Sequence, residues 1–289
     1  MASPEISIFT DSTSDLNKDM ALELGINVIP LSVTIDNKPY FDGETITTPE
    51  IINKMHEGFI PKTASPGNGV IKERFDAAEG KQIISIFISE GVSAVVTHAM
   101  MAAKEMANPP KIIDSRTTSM ALGFLAIEAA LQILKGKSAS EIQENIEDRK
   151  KRAVAIVGLP TLKYVVAGGR VGHIKGFFGG LLNVKPILMM DKGKIEEVEK
   201  VRTWGKTKER LIEIVKSLSF EDIAVMFGDN SIEADEFIDD IKTPKSPKIL
   251  KVQMGSAILT HSGPQVIAVC GILKPGSPQL TPAMAAAIQ

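Results

Sequence analysis

The stretch Ile6-Ser7-Ile8-Phe9-Thr10, followed at once by Asp11-Ser12-Thr13-Ser14-Asp15, decides the fold of this chain. The first five residues form an apolar run that predicts a short buried strand, and the next five are side chains that cap helices and turns. A helix is predicted from about Leu16 to Leu24, ending at Gly25, and a second strand over Ile26–Ile35. A strand, a helix and a strand in this order favour a parallel sheet with helices on its faces.

Polar side chains follow further apolar runs in the first half of the chain. Strands are predicted over Ile83–Ile88 and Lys111–Ser115, and residues 61–67 are predicted to form a loop. Ser93 lies between the first of these strands and the next predicted helix. In an open α/β sheet this is a place where ligands, and anions in particular, bind.

A second domain is predicted to begin after residue 153. Val154–Leu159 has the composition of a strand, and Lys185–Val198 is predicted to form a hairpin around Asp191-Lys192-Gly193. The fold class that follows is α/β with two domains. The N-terminal domain, residues 1–153, would carry a parallel sheet, and residues 154–289 would form a second α/β domain.

Composition narrows the range of partners. Of the 289 residues, 44% are hydrophobic and 24% charged, as in a folded globular protein, and the net charge of −2 favours neither nucleic acid nor an anionic membrane as a partner. The basic run Arg149–Arg152 is interpreted as the solvated end of a helix. The single cysteine, Cys270, fits a reducing compartment. With neither a signal peptide nor a long apolar run in the sequence, we expect a cytoplasmic protein without stable membrane insertion.

Motifs for independent catalysis are absent from the sequence. The glycine-rich residues 168–180 have neither Walker spacing nor the dinucleotide fingerprint, and close packing explains these glycines more simply. The histidines lack metal-binding spacing, and no Gly-x-Ser-x-Gly elbow is present. Asp11 and Asp114 stand at strand ends, where they could act as bases, although capping is their more common role. We therefore expect no metal, no cofactor and no catalytic residues.

One group of hydrogen-bonding residues indicates a ligand. His261 ends the apolar run Gly255–Thr260 and is followed by Ser262 and a Gly-Pro turn. Alone it could be a structural histidine in a turn. Together with the hydroxyls of Thr63 and Ser93, it would suit a carboxylate that carries an apolar tail.

These motifs, in this order, resemble the DegV family. The resemblance covers nearly the whole chain, and its most specific parts are the Thr10–Leu16 run at the start and the late His-x-Gly-Pro motif that begins at His261. The other matching motifs are Val28-Ile29-Pro30-Leu31, Pro61-Lys62-Thr63, Val92-Ser93, Gly169-Arg170-Val171 and Lys185-Pro186-Ile187.

The resemblance implies a two-domain protein that holds a long-chain fatty acid, such as palmitate, between its domains, with residues 154–289 as the lipid-binding domain. Thr63, Ser93 and His261 match the residues that hold the carboxylate, and Arg170 and Arg202 match arginines near a surface that faces a kinase. Two segments depart from the family pattern. Ala64-Ser65-Pro66-Gly67 stands in place of Ser-Gln-Pro-Ser, and Ala94-Val95-Val96 in place of Gly-Thr-Tyr. Both departures affect polar contacts near the carboxylate.

The function implied by the resemblance is that of a binding subunit rather than an independent enzyme. The chain would present the fatty-acid carboxylate to a separate ATP-dependent kinase, similar to dihydroxyacetone kinase, which forms an acyl phosphate. The tail would lie along the second domain, with the Gly176–Gly180 stretch as one wall. A passive fatty-acid carrier is the alternative. An autonomous small-molecule kinase or hydrolase fits less well, since its motifs are missing.

Overall fold

The computed structural model of the chain describes residues 5–78, 81–170 and 184–288. The strands are β1 Ile6–Asp11, β2 Ile26–Ile29, β3 Ser32–Ile35, β4 Lys38–Phe41, β5 Lys62–Ala64, β6 Gln82–Phe87, β7 Lys111–Asp114, β8 Ala153–Gly158, β9 Lys185–Asp191, β10 Lys194–Val201, β11 Phe220–Phe227, β12 Ile249–Gln253 and β13 Ile267–Leu273. The helices are α1 Lys18–Glu23, α2 Thr48–His56, α3 Asn68–Asp76, α4 Val95–Ala103, α5 Ser119–Leu134, α6 Ala139–Arg149, α7 Lys163–Ala167, α8 Trp204–Lys216, α9 Ser231–Ile241, α10 Ser256–Ser262 and α11 Pro282–Ala287.

The N-terminal sheet has four parallel strands in the order β2-β1-β6-β7. This arrangement confirms the parallel sheet that the opening strand, helix and strand predict. Asp11 ends β1 and caps a short 3₁₀ helix over Ser12–Ser14 by accepting the backbone N–H of Thr13. Its other carboxylate oxygen accepts the N–H of Ile88, just beyond β6. The carboxyl end of this sheet is therefore fixed by a buried side chain from its central strand.

The predicted single strand over residues 26–35 is wrong. Pro30 and Leu31 separate β2, which belongs to the parallel sheet, from β3, which is the centre of a small antiparallel sheet ordered β4-β3-β5. Proline has no N–H to donate to a ladder, so the strand is interrupted where the chain changes sheets. The predicted loop over residues 61–67 also needs correction, because β5 lies within it and pairs with β3.

The C-terminal sheet is mixed and has six strands in the order β10-β9-β8-β13-β11-β12. Among the described strands of this sheet, β11 and β12 form the parallel pair and the other pairs are antiparallel. The predicted hairpin is present as β9 and β10, with Lys192 and Gly193 at positive φ in its turn. The chain is thus an α/β protein with a parallel-sheet N-terminal domain and a mixed-sheet C-terminal domain. The division at residue 153 stays a prediction, although β8 begins there.

Helix α5 lies between the two large sheets. Most of its side chains are buried, and it packs against β1 and β6 on one side and against β8 and β13 on the other. A helix that is apolar nearly all round requires such a position, because each of its faces must be covered. The two domains consequently share one continuous apolar core.

The basic run at the end of α6 is only in part the solvated helix end that the sequence suggested. Lys151 is exposed, whereas Arg149 is buried and forms ion pairs with Glu221 and Asp222 of β11. Arg152 pairs with Glu221 as well. The two arginines therefore join the last helix of the first half of the chain to the second sheet. Among residues 5–78, 81–170 and 184–288, no helix combines the length and apolar character needed to cross a membrane.

Candidate functional site

A cavity of about 140 Å³ lies between the two domains. The N-terminal domain contributes Leu31, Ile88 and Val92 to its wall, and the C-terminal domain contributes residues of β8, β9, α10 and β13. The wall is mainly aliphatic and sulfur-containing, with polar side chains at a few positions. Its polar members are Thr13, Thr63, Ser65, Ser93, Thr118, Ser119, Arg170, His261 and Ser262. A mainly apolar cavity with a few polar groups is the usual form of a site for an amphipathic small molecule.

His261 enters this cavity from α10. The sequence placed it at the end of an apolar run, and in the structure that run is a helix over Ser256–Ser262. Gly263 follows at φ 90°, a conformation that favours glycine, and Tyr164 lies so close that a side chain at residue 263 would overlap its ring. The Gly-Pro pair after the histidine thus ends the helix and turns the chain into β13.

Thr63 and His261 form a direct hydrogen bond although they lie in different domains. The distance between Thr63 Oγ1 and His261 Nε2 is 2.7 Å. Thr63 is in β5 of the small sheet, so this bond joins that sheet to the last turn of α10. The structure therefore brings together two of the three residues predicted to hold a carboxylate.

The other ring nitrogen of His261 is packed against the backbone. Its Nδ1 is buried and has no hydrogen-bond partner among the described residues. Gly168, the residue after α7, lies against it, and a Cβ atom at residue 168 would overlap Nδ1. The glycine is required here because the imidazole occupies the space of a side chain.

Burial keeps the imidazole neutral. Loss of solvent, together with the nearby positive charge of Arg170, lowers the pKa of His261 to about 4. A histidine with this pKa is uncharged at neutral pH, so it acts as a hydrogen-bonding group and not as a cation.

Ser93 and Ser65 line the same cavity. Ser93 lies in the turn after β6, where its backbone N–H donates to Ser89 O at 3.1 Å, and α4 begins two residues later. The distance between Ser65 Oγ and His98 Nδ1 is 3.3 Å. A hydroxyl is thus present in the segment that departs from the family pattern, one residue beyond Ala64.

The two predicted arginines have different surroundings. Arg170 lines the cavity, donating from Nη1 to Gly168 O at 2.6 Å and from Nε to Val92 O at 3.3 Å. Both acceptors are neutral carbonyls, and burial lowers the pKa of this guanidinium. Arg202 is exposed at the end of β10, outside the cavity wall. The structure therefore places only Arg170 with the carboxylate-holding candidates.

The Gly176–Gly180 stretch, which was predicted to form one wall for the tail, lies outside the described residues.

Comparison with known proteins identifies the family. Residues 5–274 match the model of a family described as uncharacterised proteins of the DegV family. The chain belongs to the DegV family. A DegV domain-containing protein of Streptococcus pneumoniae is 30% identical over 271 residues, which are 92% of this chain and 97% of that protein. One of Caldanaerobacter subterraneus is 30% identical over 274 residues, or 92% of this chain and 98% of that protein.

Two solved DegV structures resemble this chain over almost its full length. DegV of Bacillus subtilis, described as a fatty acid binding protein, has a TM-score of 0.85 and 28% identity, covering 94% of this chain and 100% of that chain. A DegV family protein of Thermus thermophilus, described by its fatty acid binding, has a TM-score of 0.82 and 26% identity, covering 93% of this chain and 100% of that chain. The DegV fold inferred from the sequence is confirmed.

One buried carboxylate of this DegV fold, Asp15, joins the two domains. Asp15 accepts a hydrogen bond from Ser119 Oγ at 2.5 Å and one from the backbone N–H of Gly255 at 2.9 Å. Burial raises the pKa of Asp15 to about 7 and that of Asp11 to about 6, although hydrogen bonds oppose both shifts. Asp114, the other candidate base, accepts the backbone N–H groups of Arg116 and Glu90. All three carboxylates are thus engaged in backbone contacts of the capping kind.

The cysteine in the described part of the cavity wall is not activated for catalysis. Cys270 lines the cavity, but burial raises the pKa of the thiol to about 12, so the sulfur stays protonated and is a poor nucleophile. Among the described residues, no cluster of three or more histidine, cysteine or acidic side chains could hold a metal ion.

Some residues of the site carry no signal in the sequence. Gly168 precedes the matched Gly169-Arg170 motif, but nothing in that spacing indicates that the imidazole of residue 261 packs on it. The sequence predicts a hairpin at β9, but nothing in it indicates that Met189 and Met190 line a cavity. Contacts between residues far apart in the chain require the fold itself.

Proposed function

We propose that this chain binds one long-chain fatty acid in the cavity between its domains. The observation that carries the proposal is the Thr63–His261 hydrogen bond at a mainly apolar cavity, with Ser93 in the same wall. The fatty acid binding described for the Bacillus and Thermus relatives supports it. A fatty acid matches such a cavity because it has one charged head and a long apolar tail.

The head group would accept hydrogen bonds from Thr63 and Ser93. A threonine hydroxyl has one proton, so Thr63 can donate to a carboxylate only if it receives its bond from His261. In this arrangement the neutral imidazole is protonated on Nε2 and donates to Thr63 Oγ1. Packing of Gly168 against Nδ1 and the depressed pKa of His261 both support it. His261 then completes the anchor by orienting the hydroxyl.

The tail would supply most of the affinity. Burial of apolar surface contributes about 0.8 kcal/mol per CH₂, so some fourteen methylenes offer about 11 kcal/mol before the costs of ordering. The aliphatic and methionine side chains of the wall provide a suitable surface. The head group would mainly set the orientation of the ligand.

The finer proposal is that the bound carboxylate serves a separate ATP-dependent kinase, similar to dihydroxyacetone kinase, that forms an acyl phosphate. The chain itself would then not be the enzyme. Arg170 supports this proposal. Its hydrogen-bond acceptors are neutral carbonyls, so its positive charge would be available to stabilise the phosphoryl group as it is transferred to the carboxylate. Arg202 would face the kinase from outside the cavity. We place the protein in the cytoplasm, where ATP and a reducing environment are available.

A mixing experiment distinguishes the kinase subunit from the passive carrier. The purified chain would be combined with a candidate kinase, ATP and palmitic acid, and acyl phosphate would be measured. Formation that requires both proteins supports the subunit. Bound palmitate that no candidate kinase phosphorylates favours the carrier. Phosphorylation by this chain alone would contradict both.

A further inference from the structure

The small antiparallel sheet contacts both ends of helix α10. Strand β3 is its centre, with β4 on one side and β5 on the other, and Phe41 of β4 and Ala64 of β5 pair with the same residue, Ser32. Asp42 directly follows β4, and Thr63 lies in β5. One rigid sheet therefore presents a carboxylate and a hydroxyl to the same helix.

Asp42 binds the N-terminus of α10. Its Oδ1 accepts the backbone N–H of Ser256 at 3.0 Å, and its Oδ2 accepts that of Ala257 at 3.2 Å. The carboxylate is 6% exposed, and its own backbone N–H donates to Leu31 O at 3.0 Å. Because both oxygens are engaged, the contact fixes the rotation of the helix about its axis as well as its position.

Thr63 contacts the opposite end of the helix through His261. α10 has seven residues, a length of about 10 Å at 1.5 Å per residue. A slip of one residue rotates such a helix by about 100° and would turn the imidazole away from Thr63. The position of the ring therefore depends on what holds the first turn.

We propose that Asp42 is a positioning residue of the carboxylate site, which holds the first turn of α10 so that His261 meets Thr63. The role rests on the proposed function, since it assigns the contact to the head group of a bound fatty acid. Asp42 acts through the helix and does not itself line the cavity. The same sheet provides both contacts, so the packing of the two domains also assembles the head-group site.

The test compares palmitic acid with methyl palmitate, which has the same tail and no carboxylate. The ratio of the two affinities reports the head-group site, whereas the tail contributes equally to both. We expect Asp42→Asn, which removes the charge and one acceptor, to reduce the preference for the acid about 3- to 10-fold. In a Thr63→Val background the same substitution should no longer change the ratio, since a contact that acts through Thr63 has nothing left to position.

Ser138→Ala is the matched control for the loss of a helix cap. Ser138 accepts the N–H of Glu141 at the start of α6 and lies outside the cavity wall. It should leave the ratio unchanged. If Asp42→Asn weakens the binding of acid and ester equally, or changes the ratio also in the Thr63→Val background, Asp42 is a structural cap only and the inference is wrong.

Two further measurements keep the test decisive. If Asp42→Asn does not fold, Ser12→Ala takes its place, because the Ser12 side chain lies beside Asp42 and opposes the rise in the pKa of its carboxyl. A preserved acid preference in Ser12→Ala then contradicts the inference. If the wild type binds no palmitic acid, the proposed function fails by itself. The ¹⁵N signal of His261 Nε2 in the ligand-free protein then decides, since positioning requires that it change in Asp42→Asn and not in Ser138→Ala.

Discussion

The imidazole of His261 and the α-carbon of Gly168 are in such close contact that a methyl group on residue 168 would overlap Nδ1 of the ring. This contact closes one side of the histidine, while Thr63 engages the other at 2.7 Å. The ring is therefore held between a backbone and a hydroxyl from opposite domains. A small residue at position 168 is as much a part of the site as the histidine itself.

Gly168→Ala tests this contact. The added methyl should push the ring from Thr63 and destabilise the protein by about 1–3 kcal/mol, the usual cost of overpacking. Urea unfolding measures the loss of stability, and isothermal titration with palmitic acid measures the loss of affinity. Gly69→Ala in α3 is the matched control, because a Cβ there meets no atom within 4 Å. Wild-type stability and affinity in Gly168→Ala would contradict the packing described.

The protonation of His261 gives a second prediction. Its folded pKa of about 4 lies below the value of about 6.5 expected for the unfolded chain. The stability that comes from the neutral ring is therefore present above the unfolded pKa and is lost as the pH falls through the folded pKa. ¹⁵N NMR of the ring should show it neutral at about pH 5, with Nε2 protonated. A ring charged at that pH would show that it is not buried as described.

Asp15 should make stability depend on pH in the opposite direction. Its folded pKa of about 7 lies above the ordinary value of 3.8, so the stability that comes from the protonated carboxyl is fully present below pH 3.8 and is lost as the pH rises to and through 7. Asp15→Asn should reduce this fall between about pH 4 and 7, and the contribution of His261, which both proteins contain, cancels in the difference between them. Chemical denaturation at several pH values measures it. The control is Asp19→Asn on the exposed face of α1, and an unchanged slope in Asp15→Asn would refute the assignment.

The head-group bond gives a fourth prediction. Thr63→Val keeps the shape of the side chain and removes the hydroxyl, so the affinity for palmitic acid should fall about 10- to 100-fold, the value of a hydrogen bond to a charged group. Binding of methyl palmitate should change much less. Thr97→Val on the exposed face of α4 is the control. Equal losses for acid and ester in Thr63→Val would mean that Thr63 shapes the cavity without holding the carboxylate.

His261→Ala separates binding from presentation. The tail supplies most of the proposed affinity, so the variant should retain bound lipid, but the carboxylate would no longer be oriented for a kinase. Acyl-phosphate formation with the cognate kinase should therefore fall more than palmitate binding. Unchanged formation in this variant would contradict the role of His261. Ser138→Ala serves again as the control remote from the cavity.

The local parts of the fold could be predicted from the sequence, whereas the contacts between distant segments could not. Apolar runs ended by capping residues define β1, β6 and β7, and their order requires a parallel sheet. The sequence predicts one strand over Ile26–Ile35 because apolar and β-branched residues stand on both sides of Pro30, and composition does not indicate which sheet a strand joins. It predicts a solvated Arg149 because the partners of this residue, Glu221 and Asp222, lie more than 70 residues away.

The candidate site shows the same division. Thr63, Ser93 and His261 could be selected as hydrogen-bonding residues at element ends, and the structure places all three at one cavity. The capping of α10 by Asp42 could not be foreseen, since the carboxylate and its N–H partners are 214 and 215 residues apart. The local sequence thus indicates which side chains could bind the ligand, whereas the residues that hold those side chains in place are known only from the fold.

Native mass spectrometry of the gently purified protein is the sharpest test of fatty-acid binding. We expect an added mass equal to one long-chain fatty acid per chain, removed by delipidation and restored by palmitic acid. A clean mass of the unliganded chain that palmitic acid does not change would contradict the proposed binding.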